Sequence, residues 1–153
     1  MDHHWVDGRS LIPNPALFFG FLYEIHELDT SRLYVGMKQY WFSSGKAKRR
    51  CMDKQSPNWK DWHWRESDWR TYTGSSKELQ KEIKSKGLNN YEFSILAQYP
   101  CSRSLRYGEA NYLHKCDALT ELLDDGEYRY YNKSIQDIKF RPPQPWENPN
   151  ADT

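Results

Sequence analysis

The chain has 153 residues, enough for one domain with one modest hydrophobic core. Only 37% of its residues are hydrophobic and its mean hydropathy is -1.01, yet 16% are aromatic, including 7 Trp and 11 Tyr, which argues against wholesale disorder. A net charge of +1 does not single out nucleic acid as a partner. Any attraction to DNA must therefore come from local basic patches.

Nothing in the composition divides the chain, so we expect a single domain over residues 1–153. The three cysteines, Cys51, Cys101 and Cys116, are scattered and form no CxxC pair, which favours a reducing compartment over a disulfide scaffold. The apolar run 16–23 is too short to cross a bilayer, and no signal-peptide pattern precedes it. We expect a cytoplasmic protein with no membrane contact.

The first half of the pattern predicts two strands. An apolar run from Phe18 to Ile25 indicates the first strand, and after a polar break the second begins at Leu33 and includes Gly36. Residues 41–72 then form a basic and tryptophan-rich insertion.

The second half predicts helix, strand and helix. The Gly74-Ser75-Ser76 segment starts a helix that Gly87 ends, because serine can cap the first backbone N–H groups and glycine suits the C-terminal end. A strand from Tyr91 to Leu96 ends by Pro100, and Ser102 caps the next helix. A last extended or strand segment over residues 135–140 precedes a proline-rich tail at 142–153.

The insertion has two interpretations. Basic side chains followed by interleaved tryptophans are typical of a DNA-contacting flap, because cations reach phosphates and indoles stack on bases. The same tryptophans could instead build a small core under the loop. Both remain open for Lys46, Lys48, Arg49, Arg50, Trp59, Trp62, Trp64 and Trp69.

Two tyrosines carry the functional argument. Tyr23 ends the triplet Phe21-Leu22-Tyr23, and Tyr34 begins the triplet Tyr34-Val35-Gly36. Paired strands would bring both phenols to the same edge, where a phenol can position a water molecule or a phosphate oxygen. Packing in a hairpin is the structural alternative.

In spacing and order these triplets resemble those of the GIY-YIG nuclease family. The segment from Tyr107 to Leu113 resembles the helix that carries that family's metal-binding glutamate, here Glu109. Tyr130-Tyr131-Asn132-Lys133 resembles the segment that supplies its late asparagine. The resemblance implies a small α/β domain with a mixed or antiparallel sheet flanked by helices.

The resemblance also implies roles. Tyr23 would act as general base or water-positioner and Tyr34 would orient the phosphate and nucleophile. Glu109 would hold Mg²⁺ or Mn²⁺, since magnesium accepts a single carboxylate and keeps most of its waters. Asn132 would bond to Glu109 or to a phosphate, with an ordinary turn asparagine as the alternative.

The chain departs from the family in its cations. The arginine and histidine that the family places on the helix after the second triplet are absent, since the expected positions fall near Glu82 and Lys86. Lys38 is our first candidate for the phosphate-facing cation, and Arg70 and Lys84 follow it. The candidate DNA-contacting residues are Lys48, Arg49, Arg50, Arg70, Ser75 and Lys84.

The predicted function is a metal-dependent DNA endonuclease or nickase of the stand-alone type that resembles phage or mobile-element enzymes. It would then act in the host cytoplasm, and a homodimer is an option because one active site cuts only one strand at a time. A catalytically silent nucleic-acid-binding or protein-interaction module on the same scaffold is the main alternative. An assembly protein with a Trp-rich surface is the third.

Overall fold

The computed structural model describes residues 2–43 and 64–141 of the chain. Its strands are β1 (Gly20–Glu27), β2 (Leu33–Gln39), β3 (Trp41–Ser43), β4 (Trp64–Glu66) and β5 (Tyr91–Tyr99). The central sheet is antiparallel, with strand order β2-β1-β5. β3 and β4 pair with each other in a small antiparallel ribbon. The predicted α/β class with a small antiparallel sheet is confirmed.

The strand boundaries follow the sequence pattern closely. β1 begins two residues later than predicted and extends to Glu27, and β2 begins at Leu33 as predicted. β5 begins at Tyr91 as predicted and runs on to Tyr99. β5 stops directly before Pro100, which cannot donate a ladder hydrogen bond.

The first helix, α1 (Lys77–Lys86), has the predicted ends. The Ser76 side chain accepts a hydrogen bond from the Leu79 backbone N–H, as an N-cap does. At the other end Gly87 has φ 88° and donates its N–H to the Ile83 carbonyl. Glycine reaches this left-handed φ without a Cβ penalty, which explains why the helix ends there.

The second helix, α2 (Ser102–Lys115), corrects one prediction. Ser102 is the first helical residue and not the cap, because Cys101 takes the extended N-cap conformation. The end of the described chain corrects another. Ile135 and Ile138 bond to each other across a tight turn and form no strand.

The helices cover opposite faces of the sheet. Leu79 and Ile83 of α1 pack with Tyr23 and Phe93 on one face. On the other face, Leu113 of α2 packs with the apolar side chains Leu22, Val35, Ala118, Leu119, Tyr130 and Ile135. Alternation of side chains along each strand therefore fills two layers of core from one sheet.

The N-terminal segment covers the outer edge of β5. Leu11 N–H donates to the Ile95 carbonyl, and Ile95 N–H donates to Ser10 Oγ. Trp5, 1% exposed, lies in the core against Phe21 and Phe93. Among the residues described, no helix has the length and apolar character needed to span a bilayer.

For the insertion, the described part supports the packing interpretation at one position. Trp69 is 1% exposed, its ring contacts those of Phe21 and Tyr40, and its carbonyl accepts a hydrogen bond from the Trp5 indole. The side chains of Trp59, Trp62 and Trp64 and the basic residues Lys46, Lys48, Arg49 and Arg50 lie outside the described residues, as does the tail at 142–153.

Candidate active site

Tyr23 and Tyr34 lie on one face of the sheet, as the strand alternation requires. Tyr23 on β1 pairs with Gly36 on β2, and Tyr34 lies two residues before Gly36. The two ring centroids are 6.2 Å apart. The β1/β5 register shifts between Leu22 and Tyr23, so an irregularity of the kind that re-aims side chains lies directly beside this phenol.

A third phenol completes the group. Tyr72 contacts Tyr23 edge to face, with 6.0 Å between centroids, and the two hydroxyls interact. The Tyr34 hydroxyl lies 2.9 Å from Ser75 Oγ, at the start of α1. Gly74, with φ 89°, lies between Tyr72 and Ser75 in the chain and packs against the Tyr34 ring. The segment 72–75 therefore closes over both tyrosines of the sheet.

Tyr72 was not identified from the sequence. Its only signal is its place two residues before the glycine and serines that begin α1, which fixes it beside whatever that helix start covers.

Asn132 binds the outer edge of β2. Its side-chain oxygen accepts from the Val35 N–H at 3.0 Å, and its amide donates to the Val35 carbonyl at 2.7 Å. At the preceding outward position, Leu33 pairs with Arg129 and Tyr131 through the backbone. Asn132 thus continues a strand-like pairing with one side chain, and it is 6% exposed. Its suggested contact with Glu109 or phosphate remains a prediction.

Glu109, on α2, lies against Met37, the next outward-facing backbone position of the same β2 edge. Its carboxylate accepts a hydrogen bond from the Met37 backbone N–H. Burial raises the pKa of this carboxyl above its usual value, although the Met37 N–H and the positive charge of Arg106 oppose the shift. Glu109 is consequently a carboxylate that is costly to leave charged and unpartnered.

One open cleft of about 440 Å³ brings several of these groups together. Tyr34, Ser75, Glu109 and Asn132 line it, and so do Lys77, Glu78 and Lys133 at its rim. The cleft begins at the N-terminal end of α1, where the helix dipole favours negative charge. Four of the side chains expected from the sequence therefore share one cleft.

The electrostatics distinguish the two roles considered for Tyr23. Burial raises the pKa of its phenol well above the ordinary value, and the neighbouring Tyr34, Tyr72 and Glu109 raise it further. A neutral phenol can orient a water molecule by hydrogen bonding, whereas a general base must first lose its proton. The surroundings of Tyr23 favour the water-positioning role.

Lys38, the first candidate for the cation, reaches this group from the side. Its ammonium lies 2.6 Å from Asp68 Oδ1 and 4.0 Å from the centroid of the Tyr72 ring. In the β1/β2 register Lys38 is opposite Phe21, which lies two residues from Tyr23 and on the same face of the sheet. The Tyr72 ring therefore separates the Lys38 ammonium from Tyr23, and Asp68 partly neutralises the ammonium charge.

The remaining candidates are spread more widely. Arg70 forms ion pairs with Asp2 and Glu66 and lies over the Trp69 ring. Lys84 is exposed in the last turn of α1. Lys48, Arg49 and Arg50 lie outside the residues described.

The positions where the family has its arginine and histidine are occupied differently. Lys86 forms ion pairs with Glu27, Asp29 and Glu82 at the C-terminal end of α1. The cleft is at the opposite end of that helix. These two positions therefore lie outside the lining of the cleft.

The donor set fits a magnesium-type ion. Over residues 2–43 and 64–141, no group of three or more His, Cys, Asp or Glu side chains is arranged to hold a metal. A single half-buried carboxylate that lines an open cleft is nevertheless sufficient for Mg²⁺, which takes few protein ligands and completes its shell with water and phosphate oxygens. Glu109 is the side chain that would hold it.

Comparison with protein families identifies the chain. Residues 10–135 match the family model described as "Putative endonuclease segE, GIY-YIG domain". The match spans both tyrosine triplets, Glu109 and Asn132. No curated protein and no solved structure shows significant similarity to the chain.

Proposed function

Because the chain belongs to the GIY-YIG nuclease family, we propose that it is a DNA endonuclease that hydrolyses phosphodiester bonds with a divalent ion, Mg²⁺ or Mn²⁺, held by Glu109. The observation that carries this proposal is the shared cleft of Tyr34, Ser75 and Glu109. It places a hydroxyl pair and a carboxylate around a space large enough for a phosphodiester.

The phenols bind and orient the reacting groups. The Tyr34 hydroxyl, held by Ser75 Oγ, would orient the scissile phosphate and the attacking water. Tyr23 lies behind it, with its hydroxyl next to that of Tyr72, and would stay neutral while it fixes the water's position. A fixed array of donors around the phosphate lowers the barrier because it needs no reorganisation when charge develops.

The second requirement of the reaction is that the negative charge developing on the phosphate be neutralised. When bound, a divalent ion supplies neutralisation of the pentavalent phosphate and stabilises the leaving oxygen. Within this chain Glu109 would hold the ion, and Lys38, whose ammonium lies over the Tyr72 ring, would add a positive potential. Asn132 fixes the edge of β2 from which the cleft is built.

One observation favours a second candidate, a catalytically silent DNA-binding module on the same scaffold. The pKa of Tyr23 is raised by burial, and the expected arginine and histidine positions hold Glu82 and Lys86, away from the cleft. A site without a strong cation near the phosphate would bind but not cut.

Cleavage of supercoiled plasmid separates these functions. The purified protein would be incubated with Mg²⁺, with Mn²⁺ and with EDTA, beside the Glu109→Gln and Tyr23→Phe variants and the surface control Glu127→Gln. We expect nicked or linear products that need the metal, are lost in the first two variants and persist in the control. Cutting that survives Glu109→Gln would contradict the metal site, and DNA binding without any cutting would establish the silent module.

A further inference from the structure

The exposed face of α2 beside the cleft is not used by the function proposed above. Arg103, Arg106 and Tyr107 are all exposed on this helix, and Tyr107 is 70% exposed. Arg106 is one turn before Glu109 and Leu113 is one turn after it, so the three lie along one stripe of the helix. Glu109 and Leu113 line the cleft, which places Arg106 at its end.

Half of the other arginines and lysines that the structure describes form an ion pair with a carboxylate, namely Arg9, Arg32, Lys38, Arg70, Lys86, Arg129 and Lys133. Within the described residues Arg103 and Arg106 have no ion pair. Arg106 is also close enough to act electrostatically on the Glu109 carboxyl. Two arginines without carboxylate partners, next to a metal-binding carboxylate, are suited to phosphate oxygens.

Tyr107 adds a different chemistry to the same face. It is the most exposed aromatic side chain of the described residues, and it lies beside Arg103 and Arg106 on the helix surface. A tyrosine ring that contacts no core offers a flat face on which an unstacked base can lie. Paired bases in a duplex offer no such face to a side chain outside the grooves.

We infer that the face formed by Arg103, Arg106 and Tyr107 binds the DNA strand that enters the cleft, with the arginines on its phosphates and Tyr107 on an unpaired base. This inference rests on the proposed endonuclease function and specifies its substrate. The preferred DNA is a duplex with unpaired nucleotides next to the cut, such as a flap or a gap.

The test measures DNA affinity by fluorescence anisotropy on two labelled DNAs of equal length, a perfect duplex and a flapped duplex. All proteins carry Glu109→Gln to prevent cutting, and circular dichroism confirms their folding. Arg103→Ala with Arg106→Ala is compared with Lys115→Ala and Lys139→Ala, which remove the same charge from exposed positions elsewhere. Tyr107→Ala is compared with Tyr107→Phe.

We expect the arginine pair to weaken binding at least tenfold and to flatten the plot of log Kd against log salt by about 1.4 to 1.8, because two phosphate contacts are lost. Its lysine control should keep the original slope. The parent protein should prefer the flapped DNA, and Tyr107→Ala should lose that preference by about fivefold or more while Tyr107→Phe keeps it.

An unchanged affinity and salt slope in the arginine pair would overturn the inference, and so would a flap preference that survives Tyr107→Ala. Both results leave the nuclease function intact if the protein with Glu109 cuts plasmid. The converse is also distinguishable. The predicted binding effects without any cutting would support this face and refute the catalytic function, and no DNA binding at all would refute both.

Discussion

Gly36 lies directly beneath the phenol of Tyr23. The two residues are paired across β1 and β2, and a Cβ built on Gly36 would lie 2.7 Å from Cζ of Tyr23 and nearer still to its hydroxyl. The position in the second triplet must therefore be glycine for the tyrosine of the first triplet to occupy this place. The relation explains why Tyr23 can lie flat across the neighbouring strand in a fully buried position.

Gly36→Ala should displace Tyr23 and greatly reduce cleavage. The added methyl group would collide with Tyr23, which is 1% exposed, and such overpacking lowers the free energy of unfolding by about 1–3 kcal/mol. Gly8→Ala is the matched control, since a Cβ there meets nothing within 4 Å. Plasmid cleavage and urea unfolding would be measured for both. Normal cutting by Gly36→Ala would contradict the need for this placement of Tyr23.

Tyr72→Phe should lower the cleavage rate without weakening DNA binding. The substitution keeps the ring that lies under the Lys38 ammonium and removes the hydroxyl that interacts with that of Tyr23, so the Tyr23 hydroxyl loses a partner. We expect a tenfold or larger loss in kcat with KM nearly unchanged. Tyr128→Phe, which removes the hydroxyl of a half-buried tyrosine elsewhere, should leave both constants as they are. A rise in KM alone would assign Tyr72 to substrate binding.

Asn132→Ala should destabilise the fold by about 2 kcal/mol or more. The alanine leaves both the N–H and the carbonyl of Val35 without a partner at a buried edge, and each such group costs about 1–3 kcal/mol. Urea unfolding measures the change as a lower midpoint with the same m value. The exposed Asn89→Ala serves as control. Full stability together with lost cleavage would show that Asn132 acts on substrate instead.

Glu109→Gln should stabilise the metal-free protein at neutral pH. Because burial raises the folded-state pKa of Glu109, its favourable contribution is present below the unfolded value of about 4.5 and is lost as pH rises through the folded value. The variant's gain in melting temperature should thus be absent at pH 4 and present at pH 7. Mg²⁺ should raise the melting temperature of the parent and leave that of the variant unchanged. An equal response to Mg²⁺ would place the ion elsewhere.

Glu27 should contribute the opposite pH dependence. It is 1% exposed, and although burial raises the pKa of Glu27, hydrogen bonds from Thr30, Tyr91 and Tyr131 and the charge of Lys86 lower it overall. A lowered pKa gives stability that is present above the unfolded value and is lost as pH falls through the folded one. Glu27→Gln should therefore flatten the loss of stability between pH 5 and pH 3. A parallel pH curve would contradict this.

The sequence predicted the elements better than it predicted their junctions. Periodicity located β1, β2, β5 and both helices because each has a face that the core must bury. It misjudged Ser102, since Cys101 has no side-chain pattern that marks it as the residue before a helix. It also took Ile135 and Ile138 for part of an extended or strand segment, whereas their spacing of three closes a turn.

Within the site, the motif residues were found because they stand in order in the chain. Tyr72 was missed because its role depends on a contact across the fold with Tyr23, which no local pattern encodes. The role of Asn132 as a partner of the Val35 backbone is likewise a long-range pairing, 97 residues apart. Whether Lys38 serves the phosphate stays a prediction that cleavage by a Lys38→Met variant would decide.

The pairing of β2 with residues 129–132 makes the order of synthesis matter. Until Asn132 has been made, the outer side of β2 is an open row of donors and acceptors, which is a template for another chain. A product that stops before Arg129 would have both tyrosines but an unprotected strand. Such a fragment should aggregate, so the nascent chain gains a protected sheet edge only when this segment is in place.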